Sequence, residues 1–512
     1  MSWWQSFRSR RQMMKQGGWL AAMPAAAAAP LGAERKLYES IGVKPVINAR
    51  GTFTIITGSQ SLPEVKQAME EASRHYVHLD ELMEGVGRRI AEITGAPWAI
   101  VTNGCSAALT HFTAAAIAGF NPERMQRLPD LTGLKNEVVI PAHSRNQYDH
   151  AIRMLGVKVV EVREGRELEA ALGPRTALVY LLAGPRNTGA LGTKAVAAVA
   201  QQRGIPVLVD AAAEVLTIPN VHLTQGATAV AYSGGKCIRG PQAAGLLLGE
   251  KKLLEAAWLN SAPHHAFGRS MKVGKEEIMG MLAAVEAWPK RDHGREWKMW
   301  EARLGLIAQR LSGVGGVKTE LRQPSADLSN RTPLLRVEWD RSRIGLSGAQ
   351  MAKLMLDTEP RVVVANPGAQ SVNIVAYMMM DGEEKIVGEK LYRLLSAPPA
   401  MAGEGGETEA GVNVSGVWTV KLGFALGEAE HQVVFEQSGA VLKGTHRGEF
   451  DQGNLSGTVM GDRVHFRSVL PTIGSRLVFE FTGQAKGATI RGSVGLGEYG
   501  TVGFVAERHK YA

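Results

Sequence analysis

The chain has 512 residues and a formal net charge of +9, so it is too long for one typical domain and can bury large cores. Its positive charge is spread along the sequence without a sustained Lys/Arg block, which argues against a nucleic-acid-binding surface. The only two cysteines, Cys105 and Cys237, exclude a disulfide framework and a cysteine metal site, and we interpret both as free thiols.

The first 30 residues have the order of features of an export signal. The segment Ser9-Arg-Arg-Gln-Met-Met-Lys15 resembles a twin-arginine motif, and a short apolar run and an alanine tract follow it. The apolar run is too short to span a bilayer. A disordered basic tail with a chance Arg-Arg pair is the alternative. We expect residues 1–30 to be a twin-arginine-type signal and the protein to be periplasmic or secreted.

Alternating helical and strand patterns follow. Residues 63–94 have apolar positions at helical spacing, and short apolar segments at 97–102, 137–141, 177–183 and 205–210 have the length of buried strands. Short loops between such elements favour a mostly parallel sheet with helices on both faces. Ligands bind at the carboxyl ends of the strands in such sheets. His143, Asn187, Asp210 and the helix start at Gly104-Cys-Ser106, where backbone N–H groups can bind an anion, lie at such ends.

A lysine on a glycine-rich loop, Ser233-Gly-Gly-Lys236, comes soon after the Asp210 strand. Lysine can form a Schiff base with an aldehyde cofactor, and pyridoxal 5'-phosphate (PLP) is the usual one. Asp210 would then pair with the protonated pyridine nitrogen, and Ser-Gly-Gly offers a hydroxyl and N–H groups for phosphate. The tetrapeptide alone is weak evidence for a catalytic lysine, because most lysines on such loops are solvated.

Three consecutive motifs carry a family resemblance: Ser233-Gly-Gly-Lys236-x-x-Arg239-Gly-Pro-Gln242, Gly245-Leu-Leu-Leu-Gly249 and Gly268-Arg-x-Met-Lys-Val-Gly-Lys-Glu-Glu-Ile278. Together they resemble the selenocysteine synthase-like family of PLP enzymes, and within it the D-glucosaminate-6-phosphate ammonia-lyase-like branch. The resemblance covers about residues 34–396. It implies the fold-type I architecture, with a mostly parallel seven-stranded sheet, a small C-terminal α/β subdomain and a homodimer or higher homo-oligomer.

The resemblance also implies residue roles. Lys236 would hold the cofactor as an aldimine and move the substrate α-proton, Asp210 would tune the ring and His143 would stack on it. The phosphate would lie on Gly104, Cys105 and Ser106 with Ser233, and Asn187 could reach the cofactor phenolic oxygen or the substrate. The candidates for substrate binding are Asn48, Arg50 and Thr52 in the N-terminal arm, Arg269 in a basic cluster with Lys272 and Lys275, and Arg361. A polar surface turn for the arm, and helix-start salt bridges for the basic cluster, are the alternatives.

The rest of the chain changes character twice. We predict one long helix from residue 277 to about 311, a domain boundary at 330, a small α/β subdomain over 331–397 and a Pro/Gly-rich linker over 398–411. Residues 412–512 alternate apolar and polar positions between glycine-rich turns, which predicts about eight antiparallel strands in a small barrel or sandwich. Three self-similar pieces, Leu442-Lys-Gly-Thr445, Leu455-Ser-Gly-Thr458 and Ile490-Arg-Gly-Ser493, fit repeated hairpins.

We therefore predict an exported PLP-dependent enzyme that acts on an amino acid or amino-sugar acid. The ammonia-lyase resemblance points to α,β-elimination. Transamination, racemisation and aldol cleavage would use every residue named above, so they stay open. A degenerate enzyme fold that serves as an exported ligand-binding protein is the non-enzymatic alternative. We expect no metal, no nucleic acid partner and no membrane span.

Overall fold

The computed structural model describes residues 37–325, 327–399 and 411–509. The predicted signal segment and most of the predicted linker lie outside these ranges. Its helices are α1 Pro63–Ser73, α2 Leu79–Thr94, α3 Gly104–Ala118, α4 Pro122–Arg127, α5 His150–Arg153, α6 Gly165–Ala171, α7 Thr193–Gln201, α8 Val221–Thr224, α9 Lys251–Leu259, α10 Lys275–Ala287, α11 His293–Leu311, α12 Arg341–Ile344, α13 Gly348–Asp357 and α14 Glu383–Ser396.

Its strands are β1 Ile47–Ala49, β2 Trp98–Thr102, β3 Glu137–Pro141, β4 Lys158–Val162, β5 Thr176–Leu182, β6 Val207–Asp210, β7 Ala229–Ser233, β8 Gly245–Gly249, β9 Val317–Arg322, β10 Leu334–Trp339, β11 Val362–Val364, β12 Ser371–Val375, β13 Gly416–Gly423, β14 Glu428–Ser438, β15 Val441–Arg447, β16 Gln452–Met460, β17 Arg463–Thr472, β18 Ser475–Lys486, β19 Thr489–Gly495 and β20 Thr501–Arg508. Before Ile47, the described residues contain a 3₁₀ turn at Glu39–Ile41.

A seven-stranded sheet in the order β2-β8-β7-β6-β5-β3-β4 forms the centre of the large domain. Only β8 runs antiparallel to its neighbours, so the other six strands end at one edge of the sheet. Every residue of β2, β3, β6 and β8 is buried, as expected for strands covered on both faces. The predicted fold-type I sheet is confirmed.

The predicted long helix over 277–311 is wrong. The structure has two helices, α10 and α11, separated by a 3₁₀ turn at Trp288–Lys290. Pro289 has no N–H to continue an α-helix, and the Asp292 side chain accepts a hydrogen bond from the N–H of Arg295 to start a new one. Because of the break, Trp288 and Arg291 do not lie on one continuous helix face. They line a cavity beside Cys237.

The small subdomain has its own core and a three-stranded antiparallel sheet in the order β12-β10-β9. This sheet begins at Val317, ahead of the predicted boundary at residue 330. Two further elements from elsewhere in the chain join the same core: β1, which pairs in parallel with β11, and α11 through Leu304, Ile307 and Leu311. The arm before the large domain is thereby tied to the small one.

The C-terminal domain is a closed barrel of eight antiparallel strands, β13 to β20 in chain order. Its interior is a third core of alternating apolar residues. The three self-similar pieces each place a glycine where a side chain has no space: an added Cβ would lie 1.8 Å from Val434 O at Gly444 and 2.1 Å from His465 O at Gly457. The repeated glycines therefore permit the close backbone approach that a small, strongly coiled barrel requires. In the described ranges no helix has both the length and the apolar character that a membrane crossing needs.

Candidate active site

The site lies at the edge of the large sheet where the parallel strands end. β6 ends in Asp210, β7 leads through Ser233 to Lys236, and β2 leads through Thr102 to the start of α3 at Gly104. His143 follows β3, and Asn187 lies in the loop after β5. Because these strands are parallel neighbours or are joined through β8, the predicted chemical residues are collected at one edge.

Asp210 is the anionic centre of this edge and is 3% exposed. Its Oδ1 accepts hydrogen bonds from the N–H of Ala212 at 3.1 Å and from the Cys105 thiol at 3.5 Å. Its Oδ2 accepts one from the Tyr180 hydroxyl at 3.0 Å, and the Asn146 amide in turn donates to that hydroxyl at 3.1 Å. Three donors keep the buried Asp210 carboxylate in one orientation.

The buried thiol of Cys105 is influenced by the charges of both Asp210, to which it donates a hydrogen bond, and Lys236. Burial and the negative charge of Asp210 raise the pKa of the Cys105 thiol well above its usual value, while the positive charge of Lys236 acts in the opposite direction. The thiol is therefore a neutral hydrogen-bond donor and not a nucleophile at physiological pH. An amine and a buried carboxylate at one location are the pair that the sequence predicted for PLP.

The lysine loop has a conformation that only its glycines allow. A Cβ at Gly234 would lie 2.8 Å from the carbonyl oxygens of Ala244 and Pro241, and one at Gly235 would lie 2.8 Å from Gln242 Cα. Arg239 holds a φ of +60°, which is strained for a residue with a side chain. Hydrogen bonds from Ser59 N to Gly235 O and from Leu62 N to Arg239 O hold the loop in place.

A buried Glu214–His222 pair, which the sequence did not reveal, contacts the same loop. Glu214 and His222 are both buried and are joined by a 2.6 Å bond between Oε2 and Nε2. The Cys237 thiol donates to the backbone oxygen of Glu214 at 2.7 Å. Cys237, the residue after Lys236, is thus held by the backbone of Glu214. This contact restricts the position of the neighbouring Lys236 backbone.

The predicted phosphate end has the shape of an anion cradle. Gly104 starts α3 with a φ of +75°, and a Cβ on Gly245 would lie 2.3 Å from the carbonyl carbon of Gly104. Gly104 therefore favours glycine because of its left-handed backbone conformation, and Gly245 requires it because the helix start approaches the sheet this closely. Cys105 is buried with its thiol on Asp210, whereas Ser106 is exposed at the helix start and Ser233 is half-buried at the end of β7.

Two buried polar atoms at this edge have no hydrogen-bond partner. They are His143 Nε2 and Asn187 Oδ1, the latter on an amide whose Nδ2 donates to Thr193 Oγ1 at 2.7 Å. Burial, and to a lesser degree the positive charge of Arg186, lower the pKa of His143, so its ring is neutral. Unsatisfied buried polar atoms are rare in native proteins. Together with the anion cradle, the carboxylate and the lysine, they fit a cofactor with a phosphate, a ring nitrogen and an aldehyde.

The predicted substrate residues of the arm are held close to the lysine loop. Thr52 is buried, and the Tyr377 hydroxyl both donates to its Oγ1 at 2.9 Å and accepts from its N–H at 3.0 Å. Asn48 closes a turn by accepting from the N–H groups of Arg50 and Gly51. The Arg50 guanidinium lies 4.2 Å from the centre of the Phe53 ring. Their substrate roles stay predictions, and the turn geometry explains Asn48 without one.

The other two predicted substrate residues lie elsewhere. Arg269 is exposed in the loop before α10, and the neighbouring Lys275 pairs with Glu276, which is the salt bridge that the alternative interpretation expected. Arg361 donates from Nε to the backbone oxygen of Leu356 within the small subdomain. Neither Arg269 nor Arg361 lines the cavity that borders the lysine loop at Cys237. Their substrate roles stay predictions.

That cavity has a volume of about 440 Å³ and borders the loop at Cys237. Its walls combine three tryptophans with three arginines: Trp288, Trp297, Trp300, Arg239, Arg291 and Arg331. Arg291 is neutralised by Glu296, with N···O distances of 3.0 and 2.9 Å. The lining of the cavity does not include Lys236, Asp210 or His143. The cavity therefore lies beside Lys236 and does not enclose its side chain. Within the described ranges no cluster of His, Cys, Asp or Glu could hold a metal ion.

Comparisons with known proteins agree with this site. The Aminotransferase class-V family model matches residues 60–272. D-glucosaminate-6-phosphate ammonia lyase of Salmonella typhimurium (strain 14028s / SGSC 2262) is 31% identical over 322 residues, which are 61% of this chain and 84% of the relative. The 5'-C-glycyluridine monooxygenase-decarboxylase of Streptomyces sp is 30% identical over 376 residues, 70% of this chain and 91% of that protein. A solved structure of D-glucosaminate-6-phosphate ammonia-lyase matches with a TM-score of 0.64 at 27% identity, over 71% of this chain and 99% of that one.

Sheet, lysine, carboxylate and relatives together define a PLP-dependent enzyme of fold-type I. The chain belongs to the class-V aminotransferase family, and the predicted resemblance to selenocysteine synthase-like and ammonia-lyase proteins is confirmed. The predicted cofactor and the prediction of an enzyme are confirmed as well.

The barrel reaches the rim of this site through one hairpin. Gly474, in the turn between β17 and β18, has a φ of +72°, and an added Cβ would lie 2.6 Å from the backbone oxygen of Asn146. The side chain of Asn146 donates to Tyr180, which donates to Asp210. The turn is therefore two side-chain hydrogen bonds away from the catalytic carboxylate.

We predict that Gly474→Val lowers turnover about fivefold, because displacing Asn146 removes a hydrogen bond of about 1 kcal/mol from the chain that orients Asp210. Steady-state kinetics measure it. Gly487→Val is the matched control: Gly487 has a φ of +61° in another barrel turn with no atom within 4 Å of an added Cβ. Both variants suffer the same backbone strain, so equal turnover in the two would show that the Asn146 contact has no effect on the site.

Proposed function

We propose that the enzyme removes ammonia from an amino-sugar acid or a β-hydroxy amino acid by α,β-elimination, giving a 2-oxo acid. The observation that carries the proposal is the placement of the buried Asp210 at the end of β6 and of Lys236 in the loop after the neighbouring strand β7, in a chain that covers 84% of an ammonia lyase at 31% identity. When bound, PLP supplies an electron-accepting ring that stabilises negative charge at the substrate α-carbon.

Lys236 is the group that moves protons. Its neutral amine can take the α-proton, and the ammonium formed in this way can give a proton to the departing β-hydroxyl, which leaves as water. The amino group is later released as ammonia when water adds back to the carbon that bears it, so atoms balance as amino acid to 2-oxo acid plus ammonia. One residue on a rigid glycine loop can perform both transfers without a second acid.

Asp210 and His143 prepare the site without transferring protons to the substrate. With the cofactor bound, the Asp210 carboxylate would stabilise positive charge on the ring nitrogen, and its three hydrogen-bond donors keep the carboxylate oriented. Burial lowers the pKa of His143, so its neutral ring adds no second positive charge beside the ring nitrogen that Asp210 would stabilise. Arg331, exposed on the cavity wall beyond Cys237, offers a cation for the acid or phosphate end of a substrate.

The products decide between elimination and the other PLP reactions. With D-glucosaminate 6-phosphate and D- and L-serine as substrates, we expect equimolar ammonia and 2-oxo acid from at least one of them, with the cofactor recovered as PLP. Conversion of the cofactor to its amine form would indicate transamination, and an inverted amino acid would indicate racemisation. Either result without ammonia release would overturn the elimination proposal.

Location and assembly are also proposals. The twin-arginine motif at residues 9–15 supports export of the folded protein to the periplasm or outside the cell. The superfamily resemblance supports a homodimer.

A further inference from the structure

The interior of the barrel has one filled end and one open end. At the filled end, aromatic rings contact one another in series from Trp418 through Phe435, Phe466 and Phe481 to Phe504, with centroid distances between 4.3 and 6.3 Å. At the opposite end a cavity of about 450 Å³ opens between the turns 424–427, 448–451 and 496–500. A cavity of this size accommodates a small ligand.

A buried polar chain leads from the barrel interior to this cavity. Ser468 Oγ lies 2.6 Å from His446 Nδ1, and His446 Nε2 lies 2.9 Å from His431 Nδ1. All three residues are buried, His431 at 7% exposure. Gly453 pairs with His446 on the intervening strand β16, where an added Cβ would lie 2.1 Å from Val469 O.

The outer nitrogen of this chain has no partner. His431 lines the cavity, and the described residues supply no hydrogen bond to its Nε2. Burial lowers the pKa of His446 to about 3 and also lowers that of His431, so both rings are neutral. A neutral imidazole has one donor and one acceptor, and the shared hydrogen bond couples the two rings. His431 Nε2 can therefore face the cavity as a donor or as an acceptor, depending on how the protons are ordered.

The rest of the mouth favours an apolar guest that carries no negative charge. Phe424, Phe450, Tyr499 and Leu477 line the cavity, and Phe450 is 94% exposed, as is unusual for a phenylalanine without a partner. Glu449 and Asp451 lie in the same wall, and their carboxylates repel an anion. The apolar rings at the mouth and the Nε2 atom of His431 indicate a ligand with an apolar body and one hydrogen-bonding group.

We propose that the barrel mouth is a second binding site, for a neutral, mainly apolar ring compound that carries one hydroxyl or carbonyl group, with this group hydrogen-bonded to His431 Nε2. None of the residues that line this mouth belongs to the PLP centre, although the turn at Gly474, at the same end of the barrel, contacts Asn146 at the rim of that centre. The proposal does not depend on the reaction that the enzyme catalyses.

Calorimetric titration of the full-length protein with 2-naphthol, naphthalene and 2-naphthoate tests the site. We expect 2-naphthol to bind about tenfold more tightly than naphthalene, the size of one well-formed hydrogen bond. The anionic 2-naphthoate should bind more weakly than either. If wild-type protein binds 2-naphthol no better than naphthalene, the proposal is overturned.

Variants place the binding in the barrel. His431→Leu should remove the preference for 2-naphthol over naphthalene, whereas His465→Leu, on the half-exposed outer face beside Glu480, should keep it. Gly448→Leu fills the mouth from another strand end, since an added Cβ lies 3.1 Å from Leu470 Cδ1 and 3.6 Å from His431 Cε1. It should abolish the binding of both neutral probes. Unchanged binding in Gly448→Leu would show that the probes bind elsewhere and would contradict the proposal.

Discussion

Lys236→Ala should lower turnover by about 10³-fold or more and abolish the visible absorption that a covalently held PLP gives to the protein. The residue has two roles in our account, covalent attachment and transfer of the α-proton, and positioned acid–base catalysis alone contributes about 10²–10⁴-fold. Turnover is measured as ammonia release, and cofactor attachment as the visible absorbance that stays with the protein after dialysis.

The control for this variant is Lys486→Ala. Lys486 is an exposed lysine at the end of β18 in the barrel and belongs to none of the predicted sites. Its removal changes the net charge by the same amount, so it separates loss of a particular amine from loss of a positive charge. Activity and colour in Lys236→Ala comparable with those of Lys486→Ala would contradict the assignment of the lysine.

Asp210→Asn has the second largest expected effect, a fall in turnover of about 10²-fold. The substitution keeps the shape of the side chain but removes the charge opposite the ring nitrogen. A hydrogen bond to a charged group is worth up to about 3 kcal/mol, and each 1.36 kcal/mol is a factor of ten in rate. The measurement is the rate of ammonia release at saturating PLP, so that weaker cofactor binding does not mask the chemical effect.

Tyr180→Phe is the graded comparison. It removes the 3.0 Å hydrogen bond to Asp210 Oδ2 but leaves the charge and the bonds from Ala212 and Cys105 in place. Loss of one neutral donor, about 1 kcal/mol, predicts about a fivefold decrease. A larger loss in Tyr180→Phe than in Asp210→Asn would show that the phenol, and not the carboxylate charge, is the functional group.

The sequence was sufficient for the elements whose signal is local. The short apolar runs ending at Thr102, Pro141 and Asp210 are strands of the parallel sheet, because strands buried on both faces have no polar positions to obscure the pattern. The lysine loop follows from its glycines, whose positions leave no space for a Cβ. The eight alternating segments of the last domain close into the barrel that was one of the two predicted outcomes.

What the sequence could not show depends on contacts between distant residues. Tyr180 appears in the sequence as one more apolar strand residue, yet its hydroxyl donates to Asp210 across neighbouring strands. His222 and Glu214 are separated by a loop and lack any motif. The break after α10 does have a local signal, because Pro289 lacks an N–H and the polar run 290–296 interrupts the apolar spacing; the prediction of one helix over 277–311 did not use it.

The barrel shows the same limit. His431 and His446 each occupy an inward position of the alternating pattern, so a prediction of strands includes them, but only the closed barrel brings their rings within 2.9 Å. Long-range closure also creates the cavity at the mouth.

The central claim, that Lys236 carries the cofactor at an edge shared with Asp210, has one direct test. Purified full-length protein loaded with PLP is reduced with borohydride, digested, and its peptides are sequenced by mass spectrometry. We predict a phosphopyridoxyl group on Lys236 at close to one per chain. A label on another lysine, or no label in protein that binds PLP and releases ammonia, would contradict the account.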